Sequence, residues 1–260
     1  MDIRKIQIIE YEMLRDFAAI LDKYHIRYWL AYGTCLGAAR HAGFIPWDDD
    51  VDLYICGEDY PKIREIFQNE DTGRLKLHDY STEDDYPFVF PKIVNTNTKL
   101  KERRYKNLKY ECGVFIDVFP LFEVSDCKII RKCQYLKRKI YRAIIEAHYR
   151  GVKGKLICRV LKLFNVNTIH NKLYQIYVAP HKGKKYLCEP LQYGDNTSWA
   201  KLHKKENFAG SDMLHFEDSY FSVPKGYEQY LSDQYGDWRN PPPPDERETS
   251  HSFVYFEINE

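Results

Sequence analysis

Residues 33–53 read GTCLGAARHAGFIPWDDDVDL, and this stretch carries the densest chemical signal in the sequence. The aromatic run at 28–32 just before it predicts a buried strand that enters a turn at Gly33. We expect a short helix to follow, so that backbone N–H groups and the Thr34 hydroxyl stand where a helix N-terminus binds phosphate. Arg40, about two helical turns beyond Gly33, is placed to return its guanidinium toward the same phosphates.

Two aspartates near the end of this stretch have the spacing of a metal site. Asp50 and Asp52 alternate around Val51 at the start of a predicted strand, so both carboxylates lie on one face, roughly 6.5–7 Å apart along the chain. Like charges held this close favour a divalent cation, and hard cations such as Mg²⁺ share carboxylate ligands with substrate phosphates. Asp48 and Asp49 are expected to shape the turn or to support the ligands from behind.

A third acid is expected from a later strand. Asp117 lies inside the run GVFIDVF at 113–119, where an unpaired carboxylate would be costly in free energy. The sequence therefore predicts that Asp50, Asp52 and Asp117 hold a metal ion. Asp117 would either complete the ligand set or act as a base toward an acceptor hydroxyl.

Helices and strands alternate through the first half of the chain. Apolar and alternating patterns predict strands at 51–56, 88–94 and 113–119 and a helix over 60–68. An amphipathic helix precedes them at the N-terminus, where charges interrupt the apolar residues at every turn. This alternation indicates an α/β or α+β core.

The charge is balanced overall but polarised along the chain. Thirty-nine Lys and Arg face 38 Asp and Glu, which gives a formal net charge of +1 and excludes a general nucleic-acid-binding protein. Yet 128–162 contains twelve Lys and Arg against one acid, Glu146. This basic amphipathic segment is either a solvated helix face or a contact for an anionic membrane surface or a phosphate-rich precursor.

These shifts suggest a division of the chain into three parts. We predict a catalytic core at 1–125, a basic helical insert at 126–180 and a C-terminal part at 181–260 that completes the core. The sequence shows neither a signal peptide nor a membrane-spanning stretch. Seven scattered cysteines without a Cys-x-x-Cys pair argue against a zinc site and favour a reduced, cytoplasmic location.

The stretch at 32–53 resembles the LicD family of phosphocholine transferases, which is related to fukutin and fukutin-related protein. Its pattern Gly-Thr-x-Leu-Gly-x-x-Arg-x-x-Gly-Phe-Ile-Pro-Trp-Asp-Asp-Asp-hydrophobic-Asp is matched at nearly every position. The resemblance covers most of the chain except the basic insert. Its further matches are Lys92-Ile93, Asn97-Thr98, 113–121, Val223-Pro224, Tyr235-Gly236-Asp237-Trp238, Pro241-Pro242 and His251.

The resemblance implies a nucleotidyltransferase fold, an α+β architecture with a mixed sheet flanked by helices and a helical insert. It implies that Gly33 and Thr34 form the nucleotide-binding turn and that the three aspartates predicted above bind Mg²⁺ or Mn²⁺. Arg40 and Lys92 would stabilise charge on phosphate oxygens. His251 matches a family position and would act as a general base or contact phosphate.

The reaction implied is transfer of phosphocholine, or a related phospho-alcohol, from CDP-choline or another CDP-alcohol to a hydroxyl of a cell-surface glycan or teichoic acid precursor, with release of CMP. Because such acceptors are commonly lipid-linked, peripheral attachment at the inner face of the cell membrane through 128–162 is expected. Aromatic faces hold quaternary ammonium ions, and the candidates are Trp47, Tyr105 and Trp238.

Other functions compete with this interpretation. A nucleotidyltransferase would move NMP to a small-molecule or sugar acceptor from the same site. A glycosyltransferase also uses Asp-x-Asp with a nucleotide sugar, but the Gly-Thr turn before the acids favours the nucleotidyltransferase arrangement. A non-catalytic nucleotide- or glycan-binding module is the remaining alternative, and the intact Asp50, Asp52 and Asp117 argue against it.

Overall fold

A computed structural model describes residues 3–84, 86–150, 165–178, 183, 185–189, 202–247, 249 and 251–258. The part of the expected insert at 151–164 lies outside these residues, as does its end at 179–180. Of the helices described, none is both long enough and apolar enough to cross a bilayer.

The first half of the chain alternates between helices and strands, as its sequence pattern predicts. Its elements are α1 Ile3–Lys23, β1 Tyr28–Leu30, α2 Tyr32–His41, β2 Val51–Cys56, α3 Tyr60–Asn69, β3 Leu75–His78, β4 Lys92–Asn95, β5 Thr98–Glu102 and β6 Phe115–Val124. The second half adds two long helices and a set of short strands. They are α4 Lys128–Arg150, α5 Val166–Val178, β7 Tyr186–Cys188, β8 His203–Lys204, β9 Ser211–Phe216, β10 Ser219–Pro224, α6 Tyr227–Tyr235 and β11 Phe253–Ile258.

A mixed sheet forms the centre of the molecule, with the strand order β1-β2-β6-β4-β3. Strands β2 and β6 run parallel, whereas β1 and β4 are antiparallel to their neighbours in this order. Strand β7 extends the sheet by pairing with the far end of β6, and β8 pairs with β7. Strands β9 and β10 form a separate hairpin, and β11 pairs with β5. The expected α+β fold with a mixed sheet and flanking helices is confirmed.

The apolar patterns explain which elements are buried. Helix α1 presents Met13, Phe17 and Leu21 to the core, and none of the three is exposed. Their spacing of about four residues places them on one helical face. Strand β6 is apolar almost throughout because it lies between β2 and β4 and is covered on both faces.

Two expected strands are shorter than their apolar runs. The strand expected at 88–94 begins only at Lys92, since Pro87 and Pro91 interrupt the run before it. Phe88 and Phe90 are buried instead in an aromatic cluster in irregular backbone. The strand expected at 28–32 ends at Leu30, and α2 begins at Tyr32, whose φ is +40°.

Helices α4 and α5 pack together over the far end of β6. Ile144 and Ile145 on α4 and Leu173 on α5 are buried in the same cluster as Phe122 and Val124 of β6. The described part of the basic segment is therefore helical, as predicted, and one of its faces is anchored to the core.

Candidate active site

Three charged side chains lie side by side across the middle of the sheet. The register pairs Asp52 of β2 with Asp117 of β6, and Asp117 in turn with Lys92 of β4. All three are buried, with relative exposures of 8%, 5% and 1%. Residues at matched positions on neighbouring strands point to the same face, so the sheet itself brings the two predicted acids together.

Lys92 is committed to Asp117. Its Nζ lies 2.6 Å from Asp117 Oδ1, and the ammonium sits 3.3 Å from the centre of the Phe115 ring. Burial disfavours the charged ammonium, but the carboxylate of Asp117 outweighs this effect and raises the pKa of Lys92. The structure thus places Lys92 beside a predicted metal ligand, and its expected contact with phosphate stays a prediction.

The Gly33-Thr34 pair supports the acidic residues from behind. Both residues lie in the first turn of α2, and the Thr34 hydroxyl accepts a hydrogen bond of 2.8 Å from the backbone N–H of Asp52. A Cβ atom at Gly33 would lie 2.4 Å from Oδ2 of Asp48, so a larger residue here would displace that carboxylate from its present position. The pair therefore fixes the positions of two aspartates, and its role in binding a phosphate stays a prediction.

His251 reaches the acidic residues from the other end of the chain. Its backbone N–H donates to the carboxylate of Asp49 at 3.2 Å, and its Nδ1 lies 3.3 Å from Asp49 Oδ1 and 3.7 Å from Asp50 Oδ2. Strand β11, paired with β5, begins two residues later and holds His251 there. Ligand atoms of Asp49, Asp50 and His251 lie within 4.8 Å of one another, which makes this trio a second candidate for cation binding.

A cavity of about 520 Å³ opens onto the carboxylates. Asp48, Asp50 and Asp52 are among the residues that line it. It is also lined by Arg40, Trp47, Tyr235, Asp237, Trp238 and Glu246.

Some of the residues expected to bind substrate line this cavity, and others lie away from it. Arg40 donates from Nη1 to the backbone carbonyl of Trp238 at 2.9 Å, which holds its guanidinium at the cavity. Of the three aromatic candidates, Trp47 and Trp238 line the cavity. Tyr105 is instead buried against Phe88 in the aromatic cluster, so its ring is not offered to a ligand in this cavity.

The electrostatics of the acidic residues show a deficit of positive charge. Burial, followed by the charge of Asp50, raises the pKa of Asp48 to about 8. Burial also raises the pKa of Asp52 well above its ordinary value, and the charges of Asp50 and Asp117 add to the effect. The pKa of Asp117 is raised by burial in spite of Lys92.

A divalent cation would relieve this deficit, because it would replace mutual repulsion with attraction. The donor set consists of carboxylate oxygens and one imidazole, and carboxylates suit Mg²⁺ or Mn²⁺. The site therefore fits a cation of this type.

The chain is similar to several known proteins. The family described as LicD/FKTN/FKRP, nucleotidyltransferase domain, matches residues 25–150. The chain belongs to this family. It is 28% identical over 261 residues to the lipopolysaccharide cholinephosphotransferase LicD of Haemophilus influenzae, and the match covers 96% of each chain.

Two human members of the LicD/FKTN/FKRP family match over shorter lengths. The ribitol-5-phosphate transferase FKTN is 38% identical over 182 residues, which cover 67% of this chain and 35% of FKTN. The ribitol 5-phosphate transferase FKRP is 39% identical over 83 residues, which cover 32% of this chain and 15% of FKRP. Homology to LicD over nearly the whole chain makes this protein a transferase.

Several residues of this acidic site were not predicted from the sequence. Glu10 of α1 is 2% exposed, and its Oε2 has no hydrogen-bond partner among the described residues. Burial raises the pKa of Glu10 well above its ordinary value, and the charge of Asp50 adds to this effect. A signal was present, because Glu10 lies four residues after Ile6 and three before Met13, on the apolar face of the helix. Asp237 and Glu246 could not be placed at the cavity from local pattern.

Proposed function

We propose that this LicD/FKTN-family phosphotransferase transfers phosphocholine from CDP-choline to a hydroxyl of a cell-surface glycan or teichoic acid precursor and releases CMP. The observation that carries the proposal is that Asp48, Asp50 and Asp52 line the same cavity as Arg40. The acids suit a cation bound to a diphosphate, and the guanidinium suits phosphate oxygens.

Phosphocholine is preferred over ribitol phosphate for two reasons. The full-length match is to a cholinephosphotransferase, whereas the matches to ribitol phosphate transferases cover minor parts of those proteins. In addition, the partly exposed Trp47 lines the cavity, and tryptophan faces attract quaternary ammonium ions. A polyol such as ribitol offers hydroxyl groups and would gain nothing from that attraction.

Asp50 and Asp52 would hold the Mg²⁺ or Mn²⁺ ion, and Asp117 would either complete the ligand set or accept the proton of the acceptor hydroxyl. When bound, the cation would neutralise the diphosphate of the donor and the charge that develops on CMP. Lys92 holds Oδ1 of Asp117 at 2.6 Å, so Oδ2 is the atom proposed to face the cation or the acceptor proton. His251 positions Asp49 through two contacts and stands at the same cluster.

In the transfer step, the acceptor oxygen forms a bond to the phosphorus that carries choline. The bond from that phosphorus to the bridging oxygen breaks, and its electron pair leaves with CMP. A carboxylate of the cluster, for which Asp117 is the candidate, takes the proton of the acceptor hydroxyl. Arg40 stabilises the phosphate oxygens during this step.

A nucleotidyltransferase remains the second candidate, because the matching family is described by that domain. Attack at the phosphorus nearer to cytidine would transfer CMP to the acceptor and release phosphocholine. The two reactions are therefore distinguished by which half of the donor leaves.

The test is product analysis by mass spectrometry with Mg²⁺, a glycan acceptor and four donors, namely CDP-choline, CDP-ethanolamine, CDP-glycerol and CDP-ribitol. We expect free CMP and phosphocholine-modified acceptor, with CDP-choline as the best donor. Asp50→Asn should abolish the reaction, whereas the exposed Asp212→Asn should retain it. CMP attached to the acceptor would establish the nucleotidyltransferase reaction. Full activity of Asp50→Asn would refute the assignment of the acidic cluster as the active site.

A further inference from the structure

Helix α4 exposes an apolar stripe along its outer face. Ile129, Leu136 and Ile140 have relative exposures of 74%, 49% and 60%. At about 100° per residue these three side chains fall within roughly 40° of one another around the helix axis. Cys133 is also exposed and falls on the same side. Aliphatic side chains grouped in this way leave a continuous strip of apolar surface in contact with water.

The opposite face of the same helix is packed against the protein. Arg138 and Ile145, which lie about 160–180° around the helix from Ile129, are 6% and 2% exposed. Near the start of the helix, the Arg131 guanidinium donates to the backbone carbonyl of Ser125 at 2.6 Å. Because the inner face is fixed, the outer stripe is held in place and cannot turn inward to be buried.

Lysines border the stripe on both sides. Lys132, Lys137 and Lys139 are exposed, and their positions around the helix flank those of the apolar side chains. No acid occurs in the sequence between Lys128 and Ile145. The outer face therefore combines an apolar strip with a uniformly positive border.

We propose that this face of α4 lies on an anionic membrane surface, with Ile129, Leu136 and Ile140 inserted at the headgroup level and the lysines against lipid phosphates. An apolar strip with a lysine border matches a lipid interface, since the long lysine stems extend to the headgroups while the aliphatic side chains leave water. A second copy of the chain fits this face less well, because pairing two such faces would bring lysines together.

The test uses the full-length protein and measures co-sedimentation with vesicles of phosphatidylcholine, with and without phosphatidylglycerol. We expect binding only to the phosphatidylglycerol vesicles. It should weaken as salt rises from about 0.1 M to about 1 M, which shortens the Debye length from about 10 Å to about 3 Å. The double variants Ile129→Gln/Ile140→Gln and Lys137→Gln/Lys139→Gln should each reduce the partition coefficient about tenfold or more.

The matched control is Met213→Gln/Tyr220→Gln on the β9–β10 hairpin, where the wild-type side chains are 55% and 66% exposed. It removes a similar apolar surface elsewhere and should bind like wild type. All six substituted residues are exposed, so unchanged Tm values should show that the variants fold. Equal binding to both vesicle types, or equal loss in the control, would overturn the proposal. So would a dimer in sedimentation velocity that Ile129→Gln/Ile140→Gln dissolves while vesicle binding is absent.

Discussion

Two buried carboxylates, Asp79 and Asp117, each face a cationic side chain, but the rest of their surroundings differ. Asp79 accepts hydrogen bonds from the backbone N–H groups of Ser81 and Thr82, and from Tyr60 and Arg64. Burial alone would raise the pKa of Asp79. The hydrogen bonds from Ser81 and Tyr60 and the charge of Arg64 outweigh burial and lower the pKa below its ordinary value.

Asp117 has one cation and acidic neighbours. Lys92 lies at 2.6 Å, yet burial and the charge of Asp50 leave the pKa of Asp117 raised. The chain thus satisfies Asp79 completely with its own donors, as expected of a structural residue. The cluster around Asp117 holds more negative charge than its own cations balance, as expected of a site that binds a cation from solution.

The largest expected difference between the two groups is in activity. Asp52→Asn should lower the rate of CMP release by about a thousandfold, because a cation ligand facing the diphosphate is lost. Its Tm should stay the same or rise, since a buried like charge is removed. Asp79→Asn should keep the activity of each folded molecule. Rates normalised to folded protein measure the contrast, and a large loss in Asp79→Asn alone would reverse it.

The next effect is on stability. Asp79→Ala should lower the free energy of unfolding by about 3 kcal/mol, because it leaves the partly buried Arg64 without its ion-pair partner. Asp212→Ala, on the exposed hairpin, should change it by less than about 0.5 kcal/mol. Urea denaturation of both variants measures the difference. Equal stability would show that the Asp79 network contributes nothing.

A cation should stabilise the protein through the Asp117 cluster alone. At a concentration of about 100 times Kd, Mg²⁺ should raise the free energy of unfolding by about 2.7 kcal/mol, and chelation should remove the gain. Asp50→Asn/Asp52→Asn should abolish the gain, while Asp79→Asn should retain it. Thermal unfolding with Mg²⁺ and with EDTA provides the measurement, and a gain that survives in the double variant would place the cation elsewhere.

The smallest expected effect is the loss of the stabilisation by Asp79 at acidic pH. Since the folded chain lowers the pKa of Asp79 below its unfolded value near 3.8, the stabilisation is present above that value. It is lost as pH falls through the folded pKa. The difference in Tm between wild type and Asp79→Asn should therefore shrink below about pH 4. A difference that is constant from neutral pH into acid would contradict this assignment.

Local pattern was sufficient for the elements whose apolar spacing is regular. The helix at Tyr60–Asn69 and the strand at Val51–Cys56 were both predicted, as was the presence of Asp117 on an apolar strand. The partner of Lys92 could not be predicted, because it depends on β4 lying next to β6 in the sheet. The predicted start of this strand at Phe88 was wrong, because the prolines prevent the strand from beginning before Lys92.

The candidate site shows the same division. The acidic stretch was visible because its chemistry is concentrated in a few adjacent residues. The contact between Asp49 and His251 and the cavity position of Asp237 depend on tertiary packing between distant segments. Glu10 lies between these cases, since a lone acid on the apolar face of α1 was a local signal of a buried carboxyl group.

The pairing of β11 with β5 brings His251 to Asp49 across 202 positions of sequence. A contact between such distant segments forms slowly, because the long chain between them must first be ordered at a cost in entropy. Helices α1 and α3 need no such closure. During refolding, helical signal should therefore return before the two ends of the acidic cluster meet, and recovery of catalysis should report the final step of folding.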